Sequence, residues 1–206
     1  NCCNAQPGDL NYDQRFNILD VVILVNCVLE GNCIDIDNWC ASDLNGDGSW
    51  DVLDIVNLVS CAIAYNCNGR VDDASESKLL KTDNLMYIES DGFIGGVQMT
   101  LAHGADFTII MNDDALYSDY LTIGNETRLL VITPESDELF SFIGDFEILD
   151  IIVVNSHEEI AVDYVIISDF SLSKAYPNPF NPSTNIDFSV TVPSDIMIQI
   201  FDLQGK

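Results

Sequence analysis

The chain has 206 residues, 48% of them apolar, with 34 acidic against 7 basic side chains and a net charge of −27. That length and composition suit one large or two small packed domains. So acidic a surface repels phosphate backbones and anionic lipid, which argues against nucleic-acid or membrane-surface binding and favours cations.

The charge is unevenly spread: residues 1–71 carry 10 acidic and 2 basic residues, residues 72–171 carry 21 and 3, and residues 172–206 carry 3 and 2. No apolar run approaches the roughly 18–20 residues of a membrane span, and no leader is evident, so the chain reads as mature or trimmed. All seven cysteines (Cys2, Cys3, Cys27, Cys33, Cys40, Cys61 and Cys67) lie before residue 68. They form neither a zinc-type CxxC pair nor a CxxCH haem site, which suggests disulfides and an oxidising compartment.

A shift of 34 residues aligns Asp9–Cys33 with Asp43–Cys67, with 12 of 25 positions identical. Each copy opens with oxygen-bearing side chains at positions 1, 3, 5, 9 and 12: Asp9, Asn11, Asp13, Asn17 and Asp20, then Asp43, Asn45, Asp47, Asp51 and Asp54. Calcium takes six to eight oxygens, and a twelve-residue loop with this spacing wraps one ion, with position 7 (Arg15, Ser49) giving its backbone carbonyl. Two such loops imply two calcium ions. Position 8, Phe16 and Trp50, is expected to join the loops through a short β contact. The plain alternative is an Asx-rich turn that caps a helix without metal, and two in-phase copies weigh against it. After each loop apolar residues recur at helical spacing: Val21, Val22, Leu24, Val25, Val28, then Ile55, Val56, Leu58, Val59, Ala62. The second loop has Gly46 and Gly48 where tight turns want them. The first has Tyr12 and Gln14, so weaker affinity is expected there.

Over residues 9–64 the motif DLNGDGSWDVLDIVNLVS resembles type I dockerin repeats, calcium-binding modules that plug into cohesin domains. Asp at position 12 and the lack of a helix before the loop fit that resemblance. Dockerins often carry hydroxyl residues at loop positions 10 and 11 for cohesin contact, but here stand Ile18–Leu19 and Val52–Leu53. Either an apolar partner face replaces the usual one, or these residues pack inside the chain, which is favoured because an exposed apolar pair needs a partner. Equal cysteine offsets in the two copies make Cys27–Cys33 and Cys61–Cys67 the simplest symmetric disulfides. Cys40 is then left for Cys2 or Cys3, and one cysteine is odd.

Residues 68–84 read as a polar linker. From Leu85 onward LMYIES, FIGGVQMTLA, DFTIIM, RLLVITP, FEILDIIVV and AVDYVIISDFSL read as strands of an antiparallel sandwich. DGFIGGVQMTLAHG resembles the early strands of cohesin-like sandwiches. There is no GxSxG, HExxH, P-loop or dinucleotide fingerprint. His103, His157, Asp113–Asp114 and Glu158–Glu159 read as surface groups, and the Asn125 sequon as coincidence. In the tail, YPNPFNPST followed by alternating strands resembles the start of the C-terminal sorting domains of type IX secretion. That resemblance implies export to the cell surface or medium. Two or three strands cannot bury a core alone, so another sheet must take them up.

The expected fold class is α+β and multidomain: paired calcium loop–helix repeats (1–71), an antiparallel β-sandwich (72–171) and a partial β tail (172–206). The expected function is a secreted bacterial, calcium-stabilised structural or adhesive protein. It would be a self-assembling cell-surface or filament subunit and not an enzyme, its copies joined head to tail or by strand donation. Two rivals stay open: a module docking onto a separate cohesin partner, and a fragment of a secreted glycoside hydrolase.

Overall fold

The computed structural model describes residues 6–34, 39–62, 72–167, 171–179 and 181–189. The chain forms two compact units, residues 1–165 and 166–206. Cys2, Cys3 and Cys67, and the expected strands beyond Ser189, lie outside the described residues.

The first unit begins with α1 (Ile18–Glu30), a short 3-10 turn (Trp39–Ala41) and α2 (Val52–Ala62). Asn17 caps α1: its Oδ1 accepts from the Leu19 N–H, and Asp20 returns the favour to the Asn17 N–H, a capping box. Gly31 ends the helix at φ +68°, its N–H reaching the Cys27 and Val28 carbonyls. The expected disulfide Cys27–Cys33 closes just beyond, and Cys40 is also disulfide-bonded.

Among the described residues nine strands follow: β1 (Glu76–Lys81), β2 (Leu85–Ser90), β3 (Gly96–His103), β4 (Thr108–Met111), β5 (Ala115–Ile123), β6 (Glu126–Pro134), β7 (Glu138–Ile143), β8 (Phe146–Val154) and β9 (Ala161–Ile166). They form two sheets, ordered β4-β7-β2-β1-β9 and β5-β6-β3-β8. The stretch expected as linker corrects at β1, where Ser77 and Leu79 turn inward and the strand pairs with β2. Strand β5 gave no sequence signal because it is a sheet margin whose side chains are at most partly buried. Strand β7 was obscured by short length and flanking acids, yet it buries Leu139, Phe140 and Phe142.

Alternation divides the apolar side chains between two cores. Val97, Met99 and Leu101 on β3 and Leu129 and Val131 on β6 face the other sheet, where they meet Leu79, Met86, Phe140 and Phe142. The opposite face of the same strands, with Leu130, Ile132 and Val154, packs against Leu24, Val28, Val52, Ile55, Val56 and Leu58 of the helices. The helical pair thus lies on the outer face of the β5-β6-β3-β8 sheet.

In the second unit, β10 (Ser171–Leu172) pairs antiparallel with β11 (Phe188–Ser189), and a bridge joins Tyr176 to Asn185. The proline-rich YPNPFNPST stretch forms the connection between these pairings.

Candidate metal centre and docking face

The two loops fold alike in most of their hydrogen bonds. At position 12, Asp20 and Asp54 are fully buried. Asp20 accepts from Leu10 N–H (2.9 Å) and Asn17 N–H (3.0 Å); Asp54 accepts from Leu44 N–H (2.7 Å) and Asp51 N–H (3.2 Å). Each aspartate therefore pins the start of its loop to its end. At position 1, Asp9 accepts from the Asp13 and Gln14 N–H groups, and Asp43 from those of Gly46 and Gly48. Positions 3, 5 and 9 make Asx turns in both copies: Asn11 to Asp13, Asp13 to Arg15 and Asn17 to Leu19, matched by Asn45 to Asp47, Asp47 to Ser49 and Asp51 to Leu53.

Loop positions 4 and 6 are left-handed in both copies. Gly46 (φ +75°) and Gly48 (φ +88°) adopt this without cost, but in the first loop Tyr12 (φ +61°) and Gln14 (φ +63°) carry it with side chains. Both loops keep the same backbone, so the first is held in it against local preference. The position-8 expectation needs correction: among the described residues no β bridge joins Phe16 and Trp50. Trp50 instead stands edge-on to Trp39, ring centres 6.0 Å apart, and Phe16 packs near Gly8.

Burial pushes the Asp51 carboxyl up from its ordinary 3.8, and the nearby Asp47 and Asp43 charges add to the rise. Burial likewise pushes Asp54 up to about 7, against the N–H groups that favour its charge. Among the described residues no Lys, Arg or His forms an ion pair with these four carboxylates. Nor do three or more His, Cys, Asp or Glu side chains converge there as a metal cluster; the loop oxygens take N–H groups of their own loops. The donor chemistry nonetheless fits a hard cation. All twelve expected ligands offer oxygen, from the Asp and Asn side chains and from the carbonyls of Arg15 and Ser49. The crowding of unpaired carboxylates in the second loop is what a divalent ion relieves.

Positions 10 and 11 part company. In the second copy Val52 and Leu53 are buried, whereas in the first Ile18 and Leu19 are 55% and 58% exposed. Val22 of the same face is 48% exposed, while its counterpart Val56 is buried. The favoured expectation of internal packing thus holds for one copy.

The internal seat of the second copy is built from β3, β6 and β8. Gly95 and Gly96 leave a notch in the sheet: a Cβ on Gly95 would stand 2.1 Å from the Asn155 carbonyl oxygen and 2.9 Å from Val56 Cγ1, and one on Gly96 2.4 Å from Val52 Cγ2. Gln98 Oε1 accepts from the Val52 N–H at 3.1 Å, satisfying a donor that the start of α2 leaves free. At the far end of α1, Arg128 Nη1 donates to the Val28 carbonyl at 3.3 Å, a cation on a helix C-terminus.

Sequence reasoning did not single out Gly95, Gly96, Gln98 or Arg128. A signal was present in Leu129–Ile132, four apolar residues in succession and all buried. A strand with one wet face alternates, and an unbroken run means cover on both faces.

The two histidines meet different partners. His103 Nε2 lies 2.7 Å from Thr127 Oγ1 and its ring stacks on Phe107. His157 Nδ1 lies 3.2 Å from Asp73 Oδ2.

Residues 7–60 match the family model of the dockerin type I domain. Among solved structures, a non-cellulosomal cohesin from the hyperthermophilic archaeon Archaeoglobus fulgidus matches at 13% identity, over 48% of this chain and 88% of that chain, with a TM-score of 0.32. No curated protein matches. The paired loop–helix repeats of residues 7–60 are thus similar to the dockerin type I domain.

Proposed function

We propose that this chain is a secreted bacterial, calcium-stabilised interaction protein that works by docking and not by catalysis. Its two loops each bind one calcium ion through Asp9, Asn11, Asp13, Asn17 and Asp20, and through Asp43, Asn45, Asp47, Asp51 and Asp54, with the Arg15 and Ser49 carbonyls. The matching loop backbones and the all-oxygen donor set support this. The Cys27–Cys33 bond and the bonded Cys40 support an oxidising, extracellular setting.

The observation that carries the docking reading is the opposite fate of two equivalent faces. Val52 and Leu53 are seated on this chain's own sandwich, while Ile18 and Leu19 stand in solvent. The exposed face takes a separate cohesin-type sandwich, one offering a small-residue notch for Ile18 and a side-chain acceptor for its N–H. Replacing Ile18 and Leu19 together by Asp tests it. Capture of an immobilised cohesin-type domain in calcium should fall at least about 100-fold, the cost of losing two buried apolar anchors. The helical signal should stay unchanged, and undiminished capture would refute the reading.

A further inference from the structure

Glycine follows asparagine at two places in the sequence, after Asn45 and after Asn68, and Asn68 lies outside the described residues. An asparagine before glycine is open to attack by the next backbone nitrogen, because glycine puts no side chain beside that nitrogen. Asn45 is exposed, and nothing lies within 4 Å of where a Cβ on Gly46 would stand. Water can therefore reach the pair, and ammonia can leave it.

Neighbouring groups hold each reacting atom. The Gly46 N–H donates to Asp43 Oδ1 at 2.7 Å, so a carboxylate already sits on the proton that this nitrogen must shed. The Asp47 N–H donates to Asn45 Oδ1 at 3.1 Å, which folds the Asn45 amide forward over the Gly46 peptide. The same donor faces the oxygen on which negative charge gathers during attack. Asn45 Nδ2, the leaving nitrogen, donates to Asp47 Oδ2 at 2.7 Å. A carboxylate only accepts and an N–H only donates, so these two contacts fix which end of the amide is which. The Asn45 N–H reaches Oδ1 of the buried Asp54 at 3.4 Å and anchors the backbone behind.

We propose that Asn45 is a self-deamidation site of the second loop, active in the calcium-free protein and guarded by calcium. The Gly46 nitrogen bonds to Asn45 Cγ, its proton passes by way of Asp43 to the Asn45 amide nitrogen, and the Cγ–Nδ2 bond breaks to release ammonia. Water then opens the succinimide ring, leaving aspartate or isoaspartate at position 45. The balance is one water in and one ammonia out. Calcium opposes the reaction because Asp43 and Asn45 are both expected ligands. An ion that takes their oxygens draws the base off Gly46 and the amide off the ring-closing path. The guarding rests on the calcium reading above; the chemistry at Asn45 does not.

The first loop supplies a comparison within the same chain. Asn11 makes the same two contacts with Asp13, at 2.9 and 3.2 Å, but Tyr12 follows it. A side chain on the attacking residue crowds ring closure, so Asn11 persists where Asn45 is lost. The consequence falls on the second loop. Aspartate adds a carboxylate beside Asp43 and Asp47, whose charges already press on Asp51, and isoaspartate lengthens the loop backbone by a carbon atom. The loop thus keeps a covalent record of time spent without calcium.

The test holds the full chain at neutral pH in chelator or in excess calcium, and peptide masses give the conversion at each asparagine. In chelator, Asn45 should convert at least about tenfold faster than in calcium, and at least about tenfold faster than Asn11. Asp43→Asn should slow it at least about tenfold in chelator, a modest share of what a placed base contributes. Should that variant loosen the loop, the unaltered chain in chelator and urea gives a second reading. Unfolding scatters the groups around Gly46 and should slow conversion at least about threefold. Asn45 intact in chelator, conversion no faster than at Asn11, or conversion faster in urea than without it would overturn the proposal. Calorimetry on the same samples separates the two readings. Equal conversion with calcium bound would overturn the guarding, whereas rapid conversion in a chain that binds no calcium would support the site at Asn45 and sink the calcium reading.

Discussion

Val52 occupies the space that a side chain at position 96 would need: its Cγ2 lies 2.4 Å from where a Cβ on Gly96 would stand. Val52 is branched at Cβ and fully buried, so it cannot swing aside as a long side chain would. Gly96→Ala should therefore lower unfolding free energy by about 1–3 kcal/mol, the usual cost of overfilling a packed site. Chemical denaturation in calcium measures this. A loss under about 0.5 kcal/mol, the scatter of ordinary surface changes, would show that α2 is not seated in the notch.

The first loop offers the opposite opportunity. Gln14 holds φ +63° at the position where the second loop has Gly48 at φ +88°. A side chain in that region costs about 1–2 kcal/mol, and glycine gives back about half of that through its freer unfolded chain. Gln14→Gly should then stabilise the protein by roughly 0.5–1 kcal/mol, with Gly48→Ala destabilising by a similar or larger amount. Thermal unfolding of the two variants in parallel checks both signs.

Most of this loop chemistry was legible beforehand. The 34-residue repeat, the oxygen positions, the helices after each loop and the Cys27–Cys33 bond all follow from spacing, because the interactions involved are local. The seat of α2 was not. It joins Val52 to Gln98, 46 residues apart, and Val28 to Arg128, 100 apart, and a single sequence does not display such pairs. Strand β5 escaped for a related reason, since a margin strand whose side chains are at most partly buried has little alternation to read. The split fate of Ile18–Leu19 and Val52–Leu53 was hidden by their near identity. Chemically alike pairs differ here only in what happens to lie opposite.

In calcium-free protein the second loop should make stability fall as pH rises. Asp54 is held at about 7 in the fold against an ordinary value of 3.8, so the folded state binds its proton more tightly than the unfolded chain does. The fold therefore gains from a neutral Asp54 below pH 3.8 and loses that advantage as pH climbs from there through about 7. Asp51, also raised, adds in the same direction. Chelated protein should melt lower at pH 8 than at pH 5, and Asp54→Asn should flatten the difference. Saturating calcium should reverse the trend, because the ion needs the carboxylates ionised. Nuclear magnetic resonance of the Asp54 carboxyl gives the titration directly, and an ordinary midpoint near 4 would contradict this.

Cys27 and Cys33, with Cα atoms 4.7 Å apart, staple the end of α1 just after its Gly31 cap. Both are buried in the core that the helices share with the sheet. Cys33→Ser should cost about 2–4 kcal/mol, from the freed unfolded chain and from a hydroxyl placed among apolar neighbours. Hydrogen exchange should locate the loosening in α1 first, with the β2 and β7 amides protected as before.

Arg128 is one of 7 basic residues in the chain, and its place against the Val28 carbonyl joins two strongly acidic segments. Residues 1–71 carry a net −8 and residues 72–171 a net −18, so this packed interface is held by apolar surface against mutual repulsion. Ionic strength is then a control on the joint. Repulsion between exposed charges reaches about 30 Å at 0.01 M salt but only about 8 Å at physiological ionic strength. The helices should grip the sheet more firmly in brine than in fresh water. Two bound divalent ions would take the N-terminal segment from −8 to −4, so calcium would act on this joint by neutralisation as well as by ordering the loops. The seat of α2 thereby becomes a gauge of the surrounding medium, tightest where salt and calcium are plentiful.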